Sequence, residues 1–142
     1  MDQQHDLDRL LPLPLPEEAA DRVVLVMLRR MGGHGLHDAS AALIAFNRFG
    51  MQFRRPLVLL RAFLAEIATV SGRQIQLAPC CAMRMTEDEG LLIEALAMTR
   101  RNSARSARNL RRLTGIETVG RPLSTAFALG AALEDLGMPL AG

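Results

Sequence analysis

Pro56-Leu57-Val58-Leu59-Leu60-Arg61-Ala62-Phe63-Leu64-Ala65-Glu66-Ile67-Ala68-Thr69-Val70 is the run on which the fold turns. Wound as a helix, it is apolar almost all the way round, interrupted only by Arg61, Glu66 and Thr69. A helix of that kind must be surrounded by others to escape water. Pro56 suits its first turn, where an amide donor is not needed. The run therefore predicts the central, most buried helix of an all-α bundle.

The flanking segments agree. Upstream, a helix is expected from about Pro16 to Arg30, with Val23, Val24, Met27, Leu28 and Met31 on one face and Gly32-Gly33-His34-Gly35 as its stop. A second begins near Asp38. Its stripe of Ala39, Ala42, Phe46, Phe49 and Phe53 is expected to form the aromatic centre of the core. Downstream, Thr86 with Glu89 three residues later makes a capping box for a fourth helix, whose buried side should use Leu91, Leu92, Ala95, Leu96 and Met98. A fifth helix spans about Ser103–Leu113 and ends at Gly115. A sixth spans about Pro122–Leu136 and is stopped by Gly137 and Pro139. Ala126 and Gly130 lie one turn apart on it, permitting close approach by another helix within the fold or across a homodimer.

These readings give a single-domain bundle of five or six helices over residues 17–142. Residues 1–16 form an extended, acidic and Pro-rich N-terminal leader. Leu11-Pro12-Leu13-Pro14-Leu15-Pro16 forbids helix; a flexible tail is expected, with an extended strap laying its leucines on a groove as the alternative.

Composition supports the class. Of 142 residues, 49% are hydrophobic and only 4% aromatic, so the core should be aliphatic, which favours helices over a sandwich. All 17 basic residues are arginine, against 15 acids, and a net charge of +2 is too balanced for a wholesale nucleic-acid binder. No basic-then-apolar leader opens the chain, and the longest uncharged stretch, Pro122–Leu133, is shorter than the roughly 18 apolar residues that span a bilayer. A cytoplasmic protein without membrane contact is expected.

Three sets of residues invite chemistry. The only cysteines, Cys80 and Cys81, are adjacent in the connector from Ser71 to Met85, with Arg73 and Arg84 nearby. A thiol close to arginines and a helix start can become nucleophilic or redox-active. A vicinal disulfide needs an unusual turn and strains the intervening peptide. With His34 and His37 the pair would supply four ligands for zinc, although adjacent cysteines lack the separation of familiar zinc sites. The plain alternative is one cysteine packed in the core and one partly exposed.

Arg100, Arg101, Arg105, Arg108, Arg111 and Arg112 form the second set. On an ideal helix they fall within an arc of about 140°, a basic ridge. It suits an acidic protein partner, nucleic-acid phosphates or plain solvent. A Cys-His-Asp arrangement of Cys80 or Cys81 with His37 and Asp38 is the third, but Asp38 is better explained as a helix cap. Phosphate-loop and dinucleotide signatures are absent.

The run from Leu36-His37-Asp38-Ala39 through Arg54-Arg55-Pro56-Leu57-Val58-Leu59-Leu60-Arg61-Ala62 to Pro79-Cys80-Cys81 and Arg84-Met85-Thr86-Glu87-Asp88-Glu89 resembles small bacterial proteins of a domain-of-unknown-function family. The resemblance implies a bacterial cytoplasmic protein and carries over no activity or catalytic residue. The expected function is a non-enzymatic interaction or regulatory protein docking an acidic partner through the arginine ridge. The alternatives are a thiol- or metal-dependent sensor or enzyme at Cys80-Cys81, and nucleic-acid binding through the arginine helix.

Overall fold

The computed structural model describes residues 10–142. Among them six α-helices form an all-α bundle: α1 (Ala19–His34), α2 (Ala39–Phe49), α3 (Arg54–Val70), α4 (Glu87–Met98), α5 (Ser103–Thr114) and α6 (Gly120–Asp135). A single 3-10 turn, Gly50–Gln52, joins α2 to α3. The helices pair mainly as α4 with α5, α3 with α6 and α1 with α2. Their shared core is aliphatic, filled by Leu25, Met27, Leu28, Leu60, Ile67, Leu92, Leu96, Leu110, Leu113, Leu129 and Leu133, with Phe63 the one fully buried aromatic. Each such side chain contributes about 1.5–3 kcal/mol by leaving water.

Four expectations change. First, α3 is not encircled: it buries Leu57, Leu60, Phe63, Leu64 and Ile67 on one face, while Val58 is 56% exposed. The more central helix is α1, which buries Val23, Val24, Leu25, Met27, Leu28 and Met31. Second, α1 runs through Gly32 and Gly33 and stops only at Gly35, whose φ of 106° leaves the helical region. Inside the helix, Gly32 leaves room for Leu77, whose Cδ1 lies 2.4 Å from where a Cβ would stand. Third, the phenylalanine stripe is not the core. The buried face of α2 is Ala41, Ala45 and Phe49, one position round from the expected stripe, while Ala42 and Phe53 are only partly buried against the core. Phe46 stays 45% exposed.

Fourth, residues 11–16 take the strap form instead of the expected flexible tail; residues 1–9 lie outside the described part. Leu13–Pro14 (β1) pairs antiparallel with Arg84–Met85 (β2), Leu13 opposite Met85. Leu13 and Leu15 pack on the core. Gly90 of α4 makes the notch for Leu13, since a Cβ there would meet Leu13 Cδ1 at 2.4 Å. Arg84 donates to the Leu11 and Pro12 carbonyls at 2.9 and 2.8 Å, and Arg22 to the Pro16 carbonyl. Gly130 faces inward, where its missing Cβ makes room for Thr99 Oγ1 at the end of α4, so the close approach is within the fold.

Candidate functional site

The connector between α3 and α4 is held by buried charge. Glu89, in the first turn of α4, is fully buried and accepts four hydrogen bonds: from Arg29 Nε (2.7 Å) and Nη2 (3.0 Å), and from the amides of Ala78 (3.1 Å) and Thr86 (2.9 Å). Thr86 Oγ1 accepts from the Glu89 amide, completing the capping box, and donates to the Gln76 carbonyl. Arg29, itself 3% exposed, uses its remaining donors on the carbonyls of Ala82 (2.9 Å) and Arg84 (2.7 Å). Asp88 accepts from the Gln76 amide and from Arg73, which also donates to the Leu113 carbonyl. Among the described residues no buried side-chain nitrogen or oxygen lacks a partner. A charge taken from water is costly unless paired and fully hydrogen-bonded. Here both conditions are met, and the bonds beyond the ion pair all go to connector backbone.

The frame carries the two cysteines at its crest. The Ala82 amide donates to the Pro79 carbonyl at 3.0 Å, so Cys80 and Cys81 are the two middle residues of a turn. Both are free and exposed, and Met83 beyond them is 79% exposed. Neither is the packed core residue that the plain reading supposed. Beside Cys80 stands Arg30, whose guanidinium is held above its ordinary pKa by the Asp38 carboxylate and, after it, by the Cys80 thiol. Asp38, the acid of the expected Cys-His-Asp set, has other partners. It caps α2 by accepting from the Ala41 amide at 2.9 Å and pairs with Arg30 at 3.2 Å, which holds its carboxyl below the usual range. His34 and His37 are both exposed. Among the described residues no group of three or more His, Cys, Asp and Glu side chains is placed to share a metal ion.

The arginine edge is built differently. α4 ends at Met98 and α5 starts at Ser103, so Arg100 and Arg101 lie in the turn between them and the ridge is not one helix. Arg105 pairs with Glu94 through two bonds of 2.7 and 3.1 Å, and Arg112 with Glu87 at 2.6 Å. Arg100 pairs with Glu134 and stands over the Phe127 ring. Arg101 and Arg111 donate to the carbonyls of Ala141 and Glu117. Arg108 alone makes no hydrogen bond or ion pair among the described residues. Arg105, and after it Asn109, keeps the Glu94 carboxyl below its ordinary pKa.

The model of the family of unknown function DUF6628 matches residues 1–139. The chain belongs to this family. No curated protein and no solved structure matches it. No helix among the described residues is long and apolar enough to cross a membrane.

One surface was missed by reading motifs alone. Between Asp38 and Glu66 there is no acidic residue, while Arg48, Arg54, Arg55 and Arg61 all lie there. This stretch is the α2–α3 hairpin, and it exposes Leu43 (59%), Phe46, Met51 (86%) and Val58. Phe46 and Phe53 meet edge to face at 5.4 Å, and Arg54 stands over the Phe53 ring. Leu43 and Phe46 are one turn apart on α2, as Arg54 and Val58 are on α3. The signal available in the sequence was the absence of acids over a whole hairpin, not a motif.

Proposed function

We propose that this protein is a non-enzymatic interaction protein that docks an acidic partner, and that the docking surface is the α2–α3 hairpin. The observation that carries this reading is the coincidence of exposed apolar side chains with an acid-free, four-arginine hairpin. Apolar residues left in water beside Arg48 and Arg54, which make no ion pair among the described residues (Arg55 meets Asp135 at 3.5 Å and Arg61 the Leu36 carbonyl), fit the apolar face of an acidic amphipathic helix laid along the two helices. A second copy of the chain fits poorly, because it would bring four arginines against four. The arginine edge near α5 fits less well, since three of its six arginines already meet acids, against one of the hairpin's four.

A labelled synthetic helix with Glu on one face and Leu on the other tests the proposal. It should shift amide resonances of Leu43, Phe46, Met51 and Val58, bind more weakly as salt rises, and lose affinity at least tenfold with Phe46→Glu. A matching Lys/Leu helix should leave the spectrum unchanged. Shifts centred on Arg105–Arg112, or binding only to anionic vesicles, would overturn it.

A further inference from the structure

The Cys80-Cys81 turn is independent of the docking hairpin. Its feet are fixed: the Ala78 amide is bonded to Glu89, and the Ala82 and Arg84 carbonyls to Arg29. Between them two thiols are free, exposed and adjacent, with no packing role to explain them. Consecutive α-carbons across a trans peptide are about 3.8 Å apart, below the usual disulfide span of about 4.4–6.8 Å. A bond between these sulfurs would close a strained ring, and strained, exposed disulfides are the readily reduced, regulatory kind.

We propose that Cys80 and Cys81 form a reversible two-electron thiol switch, oxidised by a hydroperoxide and reset by a small dithiol. One thiolate attacks the hydroperoxide; the O–O bond breaks, an alcohol (or water) leaves after taking up a proton, and the sulfur becomes a sulfenic acid. The neighbouring thiol attacks that sulfur. The S–S bond forms and the sulfenic oxygen departs as water, carrying the remaining thiol proton. Two thiols and one hydroperoxide thus give one disulfide, one alcohol and one water, with two electrons passing from sulfur to oxygen. Closing the ring swings the peptide between the cysteines, breaking the Ala82–Pro79 turn bond and drawing the Ala82 carbonyl from Arg29. Because Arg29 also holds the Arg84 carbonyl, and Arg84 holds the strap, oxidation should loosen the strap.

The test uses the folded full chain treated with hydrogen peroxide, alkylated, and weighed intact. The expected product has lost the mass of two hydrogens, takes up no alkyl group, runs as a single chain without reductant, and returns to two alkylatable thiols after dithiothreitol. Cys80→Ser and Cys81→Ser should each prevent the loss, and amide exchange at Leu13 should quicken only in the oxidised wild type. Oxygen additions at both sulfurs, chains cross-linked to each other, or two thiols that survive the peroxide would overturn it.

Discussion

The connector and the arginine edge are made of the same residue types and behave as opposites. In the connector, Arg29 and Glu89 are withdrawn from water, and Arg29's remaining bonds run to backbone 53 and 55 residues away. At the edge, Arg105, Arg112 and Arg100 meet Glu94, Glu87 and Glu134 with both partners partly in solvent. Buried pairs position chain and punish the loss of either member; exposed pairs are screened and nearly interchangeable with water. Charge in this protein is therefore architectural beneath the cysteine turn and cosmetic along α5.

Substitutions can break that contrast, and the largest effect belongs to the buried pair. Arg29→Ala should lower unfolding free energy by about 3–5 kcal/mol, because it strands the Glu89 carboxylate and two connector carbonyls; denaturant titration reads it. A loss no greater than that of an exposed arginine would erase the distinction. Thr86→Ala comes next. Losing the cap should lower stability by about 1 kcal/mol in the same titration, and losing the bond to Gln76 should free that part of the connector.

Arg105→Ala and Arg112→Ala should each change stability by about 0.2–1 kcal/mol, less still in high salt. The smallest effect is one of pH. Arg105 lowers the Glu94 pKa in the folded chain, so the unfolded chain takes up the proton first as pH falls. The stabilisation is complete above the ordinary carboxylate pKa of about 4.3 and fades as pH drops through the lower folded value. Melting temperature followed against pH should show a shallower acid limb in Arg105→Ala than in the wild type.

Much of the architecture was legible in the chain. Thr86 and Glu89 announced the start of α4, Asp38 the start of α2 and Gly115 the end of α5, because caps act over three or four residues. What escaped was long-range. Nothing local ties Glu89 to Arg29, so the capping glutamate's second role under the connector was invisible. The arginines could be placed on a wheel, but the acids that neutralise them sit on α4 and α6. The phenylalanine stripe failed because a wheel cannot say which of two neighbouring faces the other helices cover, and the leader's strap packs on a notch at Gly90 that only the folded α4 presents. For the candidate sites, the exposed cysteine turn stood out as an anomaly of sequence, whereas the α2–α3 surface required knowing which apolar residues the core had left over.

The most direct measurement is hydrogen exchange at the Ala78 and Thr86 amides, the two backbone donors to Glu89. If buried charge clamps the connector, both should exchange as slowly as Leu92 and Leu96 in the core of α4, and Arg29→Ala should release them. Exchange as fast as that of the exposed residues around Cys81 would show a connector that merely rests on the bundle.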